Sequence, residues 1–380
     1  MVSMCDSSGE MPGITVSLCM IVKDEEAVIE RCLKNAVRFA DELIVVDTGS
    51  SDRTREIARK YTDKVYDHVW KDDFAEARNY SYRFATCDYV MWLDADDDME
   101  YEDIERIIEL KRTMPHDTDV VFFTYAGDPD DDHIYYDGCL IRDRLIRRDL
   151  EPRWICSVHE AVPVPDSWNR LLRPDIRIFH RKVKTNPRRR NIDILEKEIR
   201  DVDELSSYQL AYYVRELTCE EEHEKAADAF AKLWDTGSRE EVCYALYYYI
   251  KSMQILGRTD ELCMRLESYI DRYGENEAAL CALGDIYRDR KEYNRSVEMF
   301  VKASQMKLDL TDYMMHFPAY INFIPHIGCC KTYIEMKMFD EAELEISKAE
   351  QVHPGNKTLL MLKLLTDIRR RKVLNSCENI

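Results

Sequence analysis

The run Tyr89-Val90-Met91-Trp92-Leu93-Asp94-Ala95-Asp96-Asp97-Asp98 decides how the first half of this chain is read. Its apolar start reads as a buried strand, and it breaks off into four carboxylates. Side chains two apart on an extended backbone point the same way, so Asp94 and Asp96 are expected to face one site. Such a pair suits a hard cation. Magnesium and manganese prefer oxygen ligands, and an ion held by one or two carboxylates keeps positions open for a diphosphate. In open α/β sheets the ligand crevice lies at the carboxyl ends of the strands, where this cluster falls. The competing reading of the same residues is a solvated acidic turn at a helix N-terminus.

Upstream, Ile14 to Val22 is nearly continuous apolar sequence, the mark of a strand covered on both faces. It stops at Lys23-Asp24-Glu25-Glu26, and Asp24 is placed to cap a helix carrying Val28, Cys32, Leu33 and Ala36 at helical spacing. A second strand, Glu42 to Asp47, ends in a tight turn, Thr48-Gly49-Ser50-Ser51-Asp52, before a helix with Ile57, Ala58 and Tyr61. A third strand, Lys64 to Trp70, precedes Asp73 and Glu76, which resemble a capping pair for a helix with Phe74, Ala77, Ser81 and Phe84 on its inner face. Strand and helix alternate as in a parallel sheet. Three strand ends then bring Asp47, Asp94 and Asp96 toward one crevice, with Arg78 on an intervening helix. Acid so concentrated repels itself unless a cation is present.

These segments in order resemble the successive motifs of glycosyltransferase family 2, which has the GT-A fold. The residues that carry the resemblance are Ser17 to Glu26, Asp41 to Thr54, Asp73 to Asn79 and Leu93 to Asp96, over about half the chain. The resemblance implies an α/β GT-A domain, Rossmann-like with a mostly parallel sheet, that binds a nucleotide-sugar through Val22, Asp24, Glu25, Asp47, Arg78, Asp94 and Ala95. Asp47 matches the aspartate that contacts the nucleobase, and Arg78 the arginine near it. Asp94 and Asp96 match the DxD pair, in which Asp96 bonds a divalent metal, Mn2+ or Mg2+. Close relatives often carry glutamate where this chain has Asp97.

A helix over Tyr101 to Arg112 and a strand over Asp119 to Tyr125 are expected next, then a hairpin turn at Asp137-Gly138 between apolar flanks. The segment Trp154 to Glu160 lies where the family places its acceptor-side motif, and Glu160 is the candidate general base. His159 beside it has the alternative of simple packing. His180, at the end of the strand Asp175 to His180, resembles the late histidine ligand of many GT-A enzymes. Arg181, Lys182, Lys184, Arg188, Arg189 and Arg190 form a basic cluster. It reads either as a loop closing over the leaving diphosphate or as a solvated interdomain surface.

Beyond about Asn191 strands cease and helical periodicity takes over. A small residue four before a bulky one recurs at Ala226/Phe230, Ser296/Phe300 and Ala342/Ile346, with Leu262/Leu266 as a weaker copy. The period lies near the 34 residues of a tetratricopeptide repeat, apart from one long interval that predicts an insertion near Asp309 to Pro318. The expected organisation is therefore a leader over 1–12, a GT-A domain over 13–190 and an all-α tetratricopeptide-like helical array over 191–380, with Thr358 to Lys372 capping the stack. Such an array offers a surface to a peptide or to a second copy of itself, so a homodimer through the helical domain is one expectation.

Composition narrows the function. A formal charge of -20 argues against wholesale nucleic-acid binding. No apolar run reaches the roughly 18 residues of a membrane span, and the start lacks signal-peptide character, so a cytoplasmic location is expected. Thirteen scattered cysteines without a Cys-x-x-Cys pair point to reduced, mostly buried thiols. Nucleotidyl transfer would want a glycine-rich phosphate loop after the first strand, and Lys23 to Glu26 contains no glycine.

A GT-A domain joined to a tetratricopeptide-like tail resembles bacterial enzymes that glycosylate proteins or peptides, the sublancin-type S-glycosyltransferases among them. The resemblance implies metal-dependent, inverting transfer from a nucleotide-sugar, a UDP-sugar in the first instance, to a protein or peptide side chain. A saccharide or other small acceptor, and a catalytically weak scaffold, are the alternatives.

Overall fold

The computed structural model describes residues 13–127, 140–181, 189–202, 204–307 and 317–378. Described residues up to Leu205 form one compact unit, and those from Ser206 onward form a second. The expected hairpin at Asp137-Gly138 and the basic residues Lys182, Lys184 and Arg188 lie outside the described residues.

The first unit alternates as the apolar runs require: β1 (Val16–Val22), α1 (Ile29–Ala36), β2 (Glu42–Asp47), α2 (Thr54–Ala58), β3 (Val65–Asp67), α3 (Phe74–Tyr82) and β4 (Tyr89–Trp92). Then come β5 (Asp97–Asp98), α4 (Tyr101–Thr113), β6 (Val120–Gly127), β7 (Leu140–Arg147), β8 (Arg170–His180) and α5 (Arg190–Val202). The sheet runs in the order β3-β2-β1-β4-β7-β6-β8-β5. Its first four strands are parallel, β7 is antiparallel to both β4 and β6, and β8 returns parallel to β6. The fold is thus the expected α/β class with a mostly parallel sheet. Apolar side chains cover both sheet faces. Leu18, Met20, Leu33, Met91 and Phe123 lie in one core and Cys19, Ile44, Trp92, Phe122 and Trp154 in the other.

Several local expectations change. Asp24 does not cap α1, which starts after Val28 without a side-chain cap. The backbone at Asp24 has a φ of 53°, and its carboxylate turns instead to the Ser51 amide at 2.7 Å. Asp73 does cap α3 by accepting from the Glu76 amide, whereas the Glu76 carboxylate goes to His68 and Lys71. β4 ends at Trp92 rather than running on to Asp94.

The division between the units falls after Leu205 rather than at Arg190. Helix α5 is held to the first unit by its own side chains. Ile192 and Leu195 are fully buried, Lys197 Nζ reaches Asp72 at 3.1 Å, and the Arg190 guanidinium covers the Phe74 ring.

The second unit comprises α6 (Ser207–Cys219), α7 (His223–Thr236), α8 (Arg239–Ile255), α9 (Thr259–Tyr273), α10 (Glu277–Asp289) and α11 (Tyr293–Gln305). It continues with α12 (Ala319–Asn322), α13 (Ile324–Glu335), α14 (Phe339–Val352) and α15 (Lys357–Glu378). Helices pair as α6/α7, α8/α9, α10/α11 and α13/α14, and α15 packs on α14 and α13. The four spaced pairs read from the sequence all lie in the second helix of a pair and are all buried. The short α12 follows the stretch where the long interval required an insertion. One bulky member of these pairs, Phe300, is packed against glycines of neighbouring helices. A Cβ added at Gly284 or Gly328 would come within 2.8 Å or 2.3 Å of the Phe300 ring, so the ring fits only between two glycines.

Among the described residues the cysteines are free, and most are buried. Burial pushes the Cys329 and Cys330 thiols up to about 12, which keeps them protonated.

Candidate active site

The acidic turn forms where β4 stops. The Asp97 amide donates to the Asp94 carbonyl at 3.1 Å, so Asp94 and Asp96 share a site through a tight turn rather than through strand alternation. β5 then pairs antiparallel with β8, setting Asp97 opposite His180. As a result Asp96 Oδ1 lies 3.4 Å from His180 Nδ1. Asp96, Asp97 and His180 each present one ligand atom within 4.8 Å of the others. Of the three, Asp97 is wholly buried, so the Asp96 carboxylate and the His180 imidazole are the accessible donors for a divalent ion.

Electrostatics mark the same place. Burial, reinforced by the charges of Asp94 and Asp97, holds the Asp96 carboxyl above its usual range despite His180. Burial works against a charged His180, yet the hydrogen bond to Asp97 and the charge of Asp96 raise it overall. Asp94, Asp97 and Asp98 each face an arginine, Arg78, Arg144 and Arg181, whereas Asp96 has only His180 beside it.

On the other side of Asp94 stands Arg78 from α3. Its Nη2 donates to Asp94 at 2.8 Å and its Nε to Glu160 at 2.7 Å, while its guanidinium lies over the indoles of Trp92 and Trp154. Arg78 is 5% exposed, and its Nη1 has no hydrogen-bond partner. Partial burial opposes ionisation of Asp94, but the Arg78 guanidinium outweighs it and holds that carboxyl below the usual range. Arg78 thus joins the acidic turn to the segment that carries Glu160. Its two bonded donors are committed to carboxylates, and Asp47 is not among its partners.

Asp47 ends β2 in an Asx turn, with Oδ1 accepting from the amides of Gly49 and Ser50 at 2.9 and 2.8 Å. Its Oδ2 is buried without a partner, which leaves an acceptor suited to a nucleobase NH. Nearby, Val22, Asp24 and Glu25 stitch the loop after β1 to the loop after β2. The Val22 carbonyl accepts from the Thr48 amide, and the Asp24 and Glu25 amides donate to Ser50 Oγ and Thr54 Oγ1. Ala95 is 4% exposed with its methyl in the sheet core, which leaves its backbone rather than its side chain to meet a ligand.

Of the basic cluster, Arg181 is tied to Asp98 and Glu100 at 3.0 and 2.8 Å, and Arg189 lies near Asp193 and Glu196. The residues that sequence reasoning missed are Asp97, Arg144 and Tyr125. Asp97 accepts from Tyr125 Oη at 3.1 Å, and Arg144 Nη1 lies 3.4 Å from it. The stretch Leu140 to Arg147, which is β7, reads Leu-Ile-Arg-Asp-Arg-Leu-Ile-Arg without an alternation of charged and apolar residues, so no local pattern marked Arg144 as buried.

Residues 17–161 match the family model for glycosyl transferase family 2, and those of them that the structure describes lie within the first unit. Among curated proteins, the chain is similar to the SPbeta prophage-derived glycosyltransferase SunS of Bacillus subtilis. The two are 28% identical over 236 residues, which is 57% of this chain and 53% of that one. It is also 36% identical to a TPR repeat-containing protein of Synechococcus elongatus over 147 residues, 39% of this chain and 35% of the other. The chain spans between a third and about half of the length of these relatives. Among solved structures, glucosyl-3-phosphoglycerate synthase from Mycobacterium tuberculosis in complex with Mn2+ and UDP-glucose aligns over 50% of this chain and 77% of that one. The identity is 16% and the TM-score 0.34. Among the described residues no helix is long and apolar enough to cross a membrane.

Proposed function

We propose that the chain transfers a sugar from a nucleotide-sugar, a UDP-sugar in the first instance, to a side chain of a protein or peptide, with a divalent cation and inversion at the anomeric carbon. The observation that carries this reading is Arg78, which links Asp94 of the acidic turn to Glu160 of the acceptor-side segment in one buried chain of ion pairs. A donor pocket and a candidate base are thereby set side by side. Asp47 Oδ2 takes an imide NH of the base, and the stitched loops around Val22, Asp24 and Glu25 shape the floor of the nucleotide site. Asp96 and His180 would hold the cation, which would supply stabilisation of negative charge on the departing diphosphate.

The chain's own groups do the rest. Arg78 fixes Asp94 at a charged state and holds Glu160 in place by its Oε1. Glu160 takes the proton of an acceptor hydroxyl as it attacks the anomeric carbon, and attack from the face opposite the diphosphate inverts the centre without an enzyme nucleophile. A thiol acceptor, with an ordinary pKa near 8.5, would lean less on that base. The helical unit supplies a surface that a polypeptide acceptor requires and a small sugar does not.

The test is release of nucleoside diphosphate from a panel of nucleotide-sugars with Mn2+, followed by mass spectrometry of a co-expressed candidate peptide. Release is expected to be slow into water and faster with the acceptor, and Asp96→Ala is expected to abolish both. Wild-type turnover by Asp96→Ala would refute the cation assignment, and absence of release from every donor would leave the scaffold alternative standing.

A further inference from the structure

Among the described residues, Arg144 is the largest side chain that is wholly buried. A guanidinium is rarely so deep unless it is paired. Its Nη1 donates to the Trp92 carbonyl at 3.1 Å and lies 3.4 Å from Asp97 Oδ2, while its plane rests 3.7 Å from the Trp92 ring and 4.5 Å from the Tyr125 ring. Asp97 is equally inaccessible, at 0% exposure, and both of its oxygens are engaged. Oδ1 accepts from Tyr125 Oη and lies 3.4 Å from His180 Nδ1. Oδ2 accepts from the Asp94 amide at 3.0 Å and faces Arg144. By contrast, the side chains of Asp96 and His180 are 17% and 33% exposed.

We infer that Arg144 is a positioning residue that keeps Asp97 out of the cation's ligand set: it neutralises a third carboxylate at the turn and fixes it as the anchor of the Asp94–Asp97 backbone. The inference rests on the reading of Asp96 and His180 as a divalent-cation site. Its consequence concerns order of binding. With Asp97 neutralised, the protein alone offers one accessible carboxylate and one imidazole, too few to hold a hard ion tightly. An ion would then be held tightly only when a nucleotide diphosphate supplies further oxygens.

Direct titration of the full chain with Mn2+, with free ion read by electron paramagnetic resonance in the presence and absence of UDP, tests this without recourse to turnover. Wild type should bind Mn2+ weakly alone and much more tightly with UDP. Arg144→Gln unmasks the Asp97 charge, so its affinity without UDP should rise by about tenfold or more while sugar-nucleotide turnover falls. The pair Asp97→Asn with Arg144→Gln removes both charges and should return the UDP-free affinity to within about twofold of wild type, on the same Coulombic argument.

Unchanged or weaker Mn2+ binding by folded Arg144→Gln overturns the inference. If that variant does not fold, Asp97→Asn decides. A UDP-free affinity within about threefold of wild type supports the inference, and a loss of about tenfold or more makes Asp97 a ligand and overturns it. Failure of Mn2+ to bind wild type even with UDP would refute the cation site itself, a distinct result.

Discussion

Arg78 in the first unit and Phe300 in the second are both buried, and each is held from two sides. Arg78 lies between the carboxylates of Asp94 and Glu160, with the rings of Trp92 and Trp154 beside it. Phe300 lies between Gly284 and Gly328, positions where even one added carbon would collide with it. The first arrangement places charge in the interior, which costs desolvation and is not the cheapest way to make a core. The second places volume there, which is. A unit that needed only to fold could use the second device throughout. The α/β unit uses the first at the end of β4, beside the acidic turn, while the helical unit also buries charge at Glu345, where His326 and Lys348 pair it.

The sharpest way to break this comparison is Arg78→Leu. It would strand two carboxylates, so the first unit should lose about 3–5 kcal/mol in urea unfolding, and nucleoside diphosphate release should vanish. Trp92 and Trp154 beside the guanidinium give a fluorescence signal for the transition. A neutral result would mean that charge is not what organises this interior. Gly328→Ala probes the other side, with an expected cost of about 1–3 kcal/mol from overpacking against Phe300 and no change in nucleotide binding by the first unit. Adding Phe300→Leu should recover part of that loss, since the clash is with the ring.

Smaller effects sharpen the picture at the surface of the helical unit. Ser238 caps α8 in a reciprocal box with Glu241, and Ser238→Ala should cost about 1 kcal/mol by thermal melting. The smallest expected effect is a pH dependence. Burial works against the charge of Glu345, but hydrogen bonds from His326 and Lys348 outweigh it, so its carboxyl lies below the usual range. A carboxyl depressed by folding stabilises fully above its unfolded value near 4.3, and that stability is lost as pH falls through the folded value. Melting of wild type should therefore drop on acidification by slightly more than melting of Glu345→Gln, and an identical drop would remove Glu345 from the account.

Much of the first unit was legible because its strands are buried on both faces and each ends in a polar turn, so Val16–Val22, Glu42–Asp47 and Tyr89–Trp92 announce themselves. The helical pairs were legible for a related reason: steric fit between paired helices repeats along the chain. What could not be read was how charges distribute themselves. Asp24 sits where a cap belongs, but a left-handed backbone turns it to Ser51. Asp97 looks like one more acid in a row, and only the pairing of β5 with β8 and the arrival of Arg144 from β7 make it an anchor. Arg78 was expected near the nucleobase from its motif, and its fork between Asp94 and Glu160 depends on a segment some eighty residues further on. Local pattern carries burial well; it does not carry which buried charge meets which.

The most direct test of the central claim is a crystal of the chain grown with Mn2+ and UDP, with data collected at a wavelength where manganese scatters anomalously. The account predicts one anomalous peak in contact with both Asp96 and His180, with the diphosphate on its open side. A peak elsewhere in the molecule, or bound UDP with no peak at that turn, would contradict it.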